Sequence, residues 1–463
     1  MHLVALNMTD LIISLLRGTL DIFAPDSIAQ WPWAIFYDKI PARRTLWQEH
    51  GALVAACRRY LPGSFDCPPR DPSQKINSGY KAWEFLVYIY ALLPGLLRRH
   101  KHLLNLGPGR NFYKHLCKLI YGVRLILQYR PSIDTLPLAH MALVEYIEEF
   151  EVLYYQRRVE RLHFVRPCLH TLAHLVPEAY RFGPEPYYTQ WTMENYIGNT
   201  TREMKQPSRP YENISARAER RMHCQALQAI YPVLERRTAL PQGAVDIGDG
   251  YVLLPFHDLI ERHVTPPERA AIHDYFHTHQ VALDQLEWDP VVSRWHRLRL
   301  STGQIARCSA HEVPREARGK EPRRARMLGQ LFADKLHKQL TKDRFAEVQY
   351  YFRLDIEGRN RTLAMVMPFS DPVRAILEES HYTNIVCEYR GNGARFVVDA
   401  KEIMSVVGMV PAPMTEEEEQ EPGAQARYAH RFFVVEKPGL DVVLMGGTPQ
   451  DREDDEDDDD INT

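Results

Sequence analysis

The sequence predicts an α+β protein, with a mainly helical N-terminal half followed by a small antiparallel β-rich domain and a disordered acidic tail. Up to about residue 240, apolar residues recur at helical spacing between proline-rich breaks. After Pro241, short β-branched and aromatic segments alternate with turns. A composition of 45% hydrophobic and 25% charged residues is typical of a folded chain.

The helical half is divided by loops. Proline-rich residues 61–73 predict a loop, and the stripe of apolar residues from Leu138 to Leu153 predicts one long amphipathic helix. The predicted helices are Thr9–Leu20, Gly79–Leu97, Asn111–Tyr129 and Leu136–Arg161. These segments predict a first unit that covers residues 1–245.

The second predicted unit, residues 246–446, is rich in strands and includes one helix at Pro267–His279. The predicted strands are Tyr251–Leu254, Arg297–Leu300, Val348–Leu354, Leu363–Met367, Ile385–Tyr389, Arg395–Val398 and Phe432–Val435. Short strands with regular turns predict an antiparallel barrel or sandwich. The acidic segments Glu416–Glu419 and Asp451–Asp460 contain little apolar surface to bury, so both are predicted to be disordered, the second within a tail at 447–463.

The charge distribution points to a polyanionic partner. The net charge is −3, yet residues 98–130 contain eight Lys or Arg and no acid, and residues 294–344 contain fourteen Lys or Arg against five acids. Two basic surfaces of this kind favour contact with nucleic acid. Solvated helix faces are the alternative explanation for each run.

Other features predict a soluble intracellular protein without a membrane partner. The longest apolar run, Phe85–Leu97, is shorter than the ~20 residues of a membrane helix. Seven widely spaced cysteines indicate neither a disulfide framework nor a zinc site. His170 and His174 would share one helix face, and they are interpreted as core histidines.

Several segments between residue 1 and about residue 245 resemble one family. They are Pro62–Asp66, Gly79–Phe85, Glu149–Arg158, Arg161–Arg166, His170–Leu175, Gln190–Asn199 and Lys205–Ser208. As a set they are similar to the C-terminal part of the CACTA-type (En/Spm-like) DNA transposases, in the fungal branch. The resemblance implies a DNA-binding protein of the nucleus with a partial ribonuclease H-like fold and a helical insertion. Association of several copies of the chain into an oligomer is compatible with this function.

The family's reaction is DNA strand cleavage and transfer, in which two aspartates and one glutamate hold two Mg²⁺ or Mn²⁺ ions. Glu194 matches the family's glutamate, so the resemblance implies that it is catalytic and binds metal. Met193, Ile197, Thr200 and Met204 are predicted to form a buried helical face beside it. An ordinary exposed helical carboxylate is the alternative interpretation of Glu194.

Neither of the family's two aspartates has a counterpart in this sequence. The expectation is therefore a truncated or degenerate transposase-derived protein that binds DNA and does not cleave it alone. Two alternatives stay open: a complete transposase whose true start lies upstream of Met1, and a non-catalytic protein-interaction module.

Basic residues close to aromatic ones are the predicted DNA contacts, because such pairs can bind phosphate and stack on bases. The same aromatic side chains could instead belong to the core. The contacts predicted beside tyrosines are Lys114, Arg124, Arg157 and Arg158. Arg323 and Arg324 are predicted contacts in the Pro- and Arg-rich segment Arg315–Arg326, which is expected to be an exposed loop that tracks a DNA backbone. Lys118, Arg202 and Lys205 are further predicted DNA contacts.

Overall fold

The computed structural model describes most of the chain. The described residues are 2–65, 67–204, 208–234, 240–255, 257–258, 260–279, 290–310, 312–313, 328–331, 344–356 and 358–437. The architecture is α+β, with helices dominating up to residue 234 and antiparallel strands dominating after it.

The helical region begins with a π-helical segment, His2–Met8, that runs into α1. The helices of this region are α1 (Thr9–Arg17), α2 (Pro41–Ala56), α3 (Pro72–Lys75), α4 (Ala82–Val87), α5 (Leu93–Leu97), α6 (Lys101–Leu104), α7 (Phe112–Ile126), α8 (Thr135–Phe150), α9 (Pro167–Leu172), α10 (Leu175–Phe182), α11 (Gln190–Glu203) and α12 (Pro210–Ile230). Four more helices lie among the described residues of the β-rich region: α13 (Pro266–Thr278), α14 (Arg374–Glu379), α15 (Glu416–Glu419) and α16 (Ala424–Tyr428).

The strands form three antiparallel sheets. Their bounds are β1 (Val245–Gly248), β2 (Tyr251–Leu253), β3 (Arg262–His263), β4 (Val291–Val292), β5 (Arg297–Arg299), β6 (Ile305–Arg307), β7 (Leu328–Leu331), β8 (Arg344–Ile356), β9 (Arg359–Pro368), β10 (Val386–Glu388), β11 (Phe396–Asp399), β12 (Ile403–Pro411) and β13 (Arg431–Val435). The largest sheet has the order β10-β13-β12-β7-β8-β9-β11, the second has the order β1-β2-β5-β6, and β3 pairs with β4. Backbone hydrogen bonds between Trp295 and Tyr351 join β8 to the chain just before β5.

One hydrophobic core runs through the helical region and continues onto the sheet. Helix α7 is buried along almost all of its length and packs against α8. The same core includes Val386, Val410 and Phe433 from the strands. A Cβ atom on Gly95 would lie 2.5 Å from the Phe433 ring, which shows how closely α5 approaches β13. The helices and the sheet therefore share a core across the boundary expected near residue 245.

A second core lies between α13 and the other end of the large sheet. Ile272 and Phe276 of α13 are fully buried in it, together with Val397 and Val398 of β11. A capping box between Thr265 and Glu268 fixes the start of α13, because each side chain satisfies backbone donors at the helix N-terminus. This helix and the strands named from the sequence are confirmed to within about two residues at most ends, except that β8 and β9 are longer.

The predicted extent of one helix and the predicted disorder of one acidic segment are wrong. The helix expected over Leu136–Arg161 ends sooner: α8 passes into a π-helical turn, Glu151–Tyr155, and the left-handed backbone of Gln156 and Arg157 stops it. Glu416–Glu419, expected to be disordered, forms α15, which Thr415 caps and basic side chains of the helical region hold. The tail at 447–463 lies outside the described residues.

Candidate nucleic-acid interface

Helices α11 and α12 lie side by side and are joined by one arginine. Pro210 occupies the first turn of α12, where its missing N–H is not needed by the helix. From the fourth turn of α12, Arg221 forms an ion pair with Glu203 of α11. Its guanidinium also lies 5.4 Å from the centre of the Tyr196 ring, a cation–π contact. These contacts fix the two helices relative to each other at this level.

An open groove of about 700 Å³ lies between the two helices at that crossing. It is lined by Tyr196, Asn199, Arg202, Glu203, Arg217, Arg221 and Gln225. Three guanidinium groups therefore face one carboxylate, so the groove has an excess of positive charge. Its other polar groups are two amides and a phenol, side chains that hydrogen-bond to phosphates, sugars and base edges.

The two arginines other than Arg221 keep donors for a ligand. Arg202 is exposed at the last turn of α11 and takes part in none of the ion pairs found among the described residues. Arg217 is half-buried and lines the groove, and its Nε donates to Asn213 Oδ1 at 2.7 Å, a bond that does not use its two Nη groups. A guanidinium that is already oriented loses less conformational entropy when it binds a phosphate.

Glu194 lies on α11, two residues before Tyr196 of the groove, and its side chain is exposed. The buried face predicted beside it is wrong, because Met193 is 62% exposed and Ile197 is 50% exposed. Helix α12 packs against the later turns of α11 instead. Trp191, near the beginning of α11, contacts the main core. The ordinary exposed carboxylate is thus the environment of Glu194 in this fold.

The resemblance implies that Glu194 is one ligand of a metal centre. No three His, Cys, Asp or Glu side chains of the described residues converge in a way that could hold a metal ion. An exposed carboxylate on its own does not make a two-metal site. No catalytic step is therefore assigned to Glu194.

The basic residues predicted on α7 have different environments. Lys114 is exposed. Lys118 is 2.7 Å from both Glu145 and Glu149 of α8, and although burial lowers its pKa, these two hydrogen bonds raise it above the usual value. Its charge is already neutralised within the protein, which leaves Lys114 as the available cation of this helix.

Arg124, also predicted to contact DNA, is a structural residue in this fold. It is 6% exposed and donates to three backbone carbonyls: Tyr90 at 2.6 Å, Thr383 at 2.7 Å and Ala91 at 3.4 Å. The contact with Thr383 ties α7 to the chain that enters β10. Sequence reasoning placed it on a surface because burial of an arginine requires partners that are distant in the chain.

The pair Arg157 and Arg158 lies at the turn that ends α8. Arg157 is exposed and its positive φ of 53° belongs to the turn, whereas Arg158 pairs with Glu160 at 2.5 Å. Arg161, which was not singled out from the sequence, is fully buried and binds both carboxylate oxygens of Asp26, at 2.7 and 2.8 Å. The basic run at this position therefore serves partly to hold the fold.

Three of the predicted contacts lie outside the described residues, and part of the first basic stretch is paired with acidic side chains. Lys205, Arg323 and Arg324 lie outside the described residues. The start of the first basic stretch is covered, since Arg98 pairs with Glu418 at 3.1 Å and with Glu379 at 3.5 Å, and Arg99 pairs with Glu419 at 3.1 Å. Helix α15 and α14 thus neutralise this part of the basic surface.

Two further observations bear on partners and relatives. Within the described part of the chain, no helix is both long enough and apolar enough to cross a membrane. Comparison of the chain with models of known protein families, with curated proteins and with solved structures finds no match.

Proposed function

We propose that this chain is a DNA-binding protein derived from a CACTA-type transposase, and that the groove between α11 and α12 contacts the DNA backbone. The observation that supports the proposal is the group of three arginines around one groove, with Tyr196, Asn199 and Gln225 beside them. The α11 side of the groove, with Tyr196, Asn199 and Arg202, also lies within the stretch that resembles the transposases around their last glutamate.

The chemistry of the groove suits phosphate. A guanidinium presents donors in a planar fork that matches two phosphate oxygens, and its charge does not titrate at neutral pH. The ion pair between Arg221 and Glu203 holds the groove in shape, while Arg202 and Arg217 supply the donors. Tyr196 offers an aromatic face, although Arg221 already covers part of it.

The finer proposals rest on the resemblance. They are a partial ribonuclease H-like fold, a location in the nucleus, and descent from an enzyme that uses Mg²⁺ or Mn²⁺. For this chain we propose binding of DNA without cleavage, because Glu194, the residue that matches the family's glutamate, is exposed on the surface of α11.

The experiment is equilibrium binding of the purified chain to labelled duplex and single-stranded DNA over a range of salt concentrations. Each phosphate contact to a duplex contributes about 0.9 to the slope of log K against log salt. Two or three arginines therefore predict a slope from this groove of roughly −2 to −3, with any other contacts adding to it. A DNA cleavage assay with Mg²⁺ or Mn²⁺, with Glu194→Gln as the control, is run on the same preparation.

The outcomes separate the alternatives. Salt-dependent binding without cleavage supports the proposal, and metal-dependent cleavage that is lost in the Glu194→Gln variant overturns the non-catalytic part of it. Absence of binding at low salt overturns the DNA-binding part.

A second candidate function is binding of a protein partner or of a second copy of this chain. Helix α12 carries several exposed apolar side chains, among them Met222 at 63% and Ile230 at 65%, and exposed apolar surface is a feature of interaction sites. Concentration-dependent association in sedimentation experiments, together with no binding to DNA, would favour this function.

A further inference from the structure

Two histidines meet on the surface where α9 passes into α10. His170 lies in α9 and His174 immediately precedes α10, and both side chains are exposed. Their Nε2 atoms are 3.0 Å apart, and the two rings stand nearly perpendicular at 77°. Exposure excludes the core role that the sequence predicted for them, and the contact brings two potential metal ligands together.

The backbone around the two histidines is held by hydrogen bonds and by burial of the opposite helix faces. Pro167 begins α9, and the turn that follows is closed by hydrogen bonds from Ala173 N to His170 O and from His174 N to Thr171 O, both at 3.1 Å. The other side of these helices is buried, with Leu169 and Leu172 in the main core. The backbone positions of the two histidines are therefore fixed by the fold.

The separation of the two nitrogens selects the geometry of an ion that could bridge them. With metal–nitrogen bonds of ~2.0–2.1 Å, a separation of 3.0 Å corresponds to an N–metal–N angle of roughly 90–100°. A tetrahedral ion would require about 3.3–3.4 Å at the same bond lengths. An angle near 90° is that of neighbouring ligands in square-planar or tetragonal coordination, which Cu²⁺ and Ni²⁺ prefer.

We propose that His170 and His174 form a binding site for one divalent transition-metal ion, with Cu²⁺ or Ni²⁺ as the preferred ions. Both Nε2 atoms coordinate the ion in their unprotonated form. No third His, Cys, Asp or Glu joins them in the part of the chain that the structure describes, so water occupies the other positions. The site is independent of the α11–α12 groove and of the DNA-binding proposal.

The competing explanation is a hydrogen bond in which one ring donates an N–H to the unprotonated Nε2 of the other. That arrangement accounts for the distance without any ion, and it makes a different prediction. A simple hydrogen-bonded pair does not gain affinity for metal over other exposed histidines of the chain, whereas a preformed chelate does.

The test is calorimetric titration of the full chain, without an affinity tag, with Ni²⁺ and Cu²⁺. Loss of a direct ligand is expected to weaken the tightest site at least about tenfold, since even outer-shell changes cost 10–100-fold. His170→Ala and His174→Ala should each have this effect. Circular dichroism confirms that the variants fold, which is expected because both side chains are exposed.

Two controls match the variants in chemistry. His223→Ala removes one exposed histidine from α12, and the double variant His273→Ala/His277→Ala removes two exposed histidines with the same spacing on α13. Both controls should retain the tight site. Wild-type affinity in His170→Ala, equal losses in the controls, or no site in the wild-type chain would each overturn the proposal.

Discussion

Replacement of Asp26 by asparagine is expected to destabilise the helical region strongly, because it leaves a fully buried guanidinium without its charge partner. The Arg161 side chain is 0% exposed, and its Nε and Nη2 atoms donate to Asp26 at 2.8 and 2.7 Å. Trp31 Nε1 donates to the same carboxylate at 2.8 Å. Burial raises the pKa of Asp26, but the hydrogen bonds from Arg161 and Trp31 hold it below the usual value.

The magnitude follows from the contacts that remain. Breaking a buried ion pair by removing one partner costs about 3–5 kcal/mol. In the variant, Arg161 keeps Gln156 Oε1 at 2.8 Å and the Tyr154 carbonyl at 3.3 Å, and asparagine still offers one oxygen. We therefore expect the free energy of unfolding to fall by about 3 kcal/mol, the lower end of this range.

The assay is urea unfolding followed by tryptophan fluorescence, since Trp31 and Trp33 lie beside the pair. With an m value of about 3 kcal/mol/M, the midpoint should fall by on the order of 1 M. The matched control is Asp10→Asn, which breaks an exposed pair with Arg166 and should cost less than about 1 kcal/mol. Equal losses in the two variants would refute the assignment of Asp26 and Arg161 as a buried structural pair.

Two further predictions concern the junction between the helices and the sheet. Burial raises the pKa of Glu418, but hydrogen bonds from Arg98, Thr415 and Arg431 outweigh it and lower the pKa from 4.5 to about 2. The ionised Glu418 therefore stabilises the fold above pH ~4.5, and this stabilisation is lost as the pH falls toward 2. Glu418→Gln should therefore lower the free energy of unfolding by about 3 kcal/mol at pH 7 and by much less near pH 2, as measured by denaturant unfolding. Glu417→Gln, an exposed residue on the same helix, should change stability by under about 0.5 kcal/mol. An equal loss for Glu418→Gln at both pH values would contradict this. Gly95→Ala should lower the free energy of unfolding by about 1–3 kcal/mol, because the new methyl group meets the Phe433 ring. Gly198→Ala, in open space on α11, should instead stabilise the protein by about 0.5–1 kcal/mol in the same unfolding measurement. A neutral Gly95→Ala would show that α5 and β13 are not closely packed.

Local patterns predicted much of the secondary structure. Helix α13 and strands such as β5 and β11 carry their own signals, because a capping residue or an alternation of β-branched side chains acts within a few positions. The end of α8 carries no such signal. Gln156 and Arg157 adopt positive φ values although neither is glycine, so nothing in their chemistry marks the turn.

The roles of charged residues depended on contacts that are distant in the sequence. Arg124 donates to Thr383 and Arg98 pairs with Glu418, partners that lie 259 and 320 positions away. A run of basic residues therefore looks like a surface in the sequence, although the fold uses part of it to hold α15 and β10. Arg202, which the sequence predicts to contact DNA, is exposed in the last turn of α11, and its role as a DNA contact stays a prediction.

The most direct measurement for the central claim is the salt dependence of DNA binding by the double variant Arg202→Gln/Arg217→Gln. Arg427→Gln is the matched control, since Arg427 is an exposed helical arginine outside the groove, paired with Glu421 at 2.8 Å. If the α11–α12 groove binds phosphates, the magnitude of the slope of log K against log salt should fall by about 2 in the double variant and stay unchanged in the control. An unchanged slope in a folded double variant would contradict the claim that this groove is the DNA-binding site.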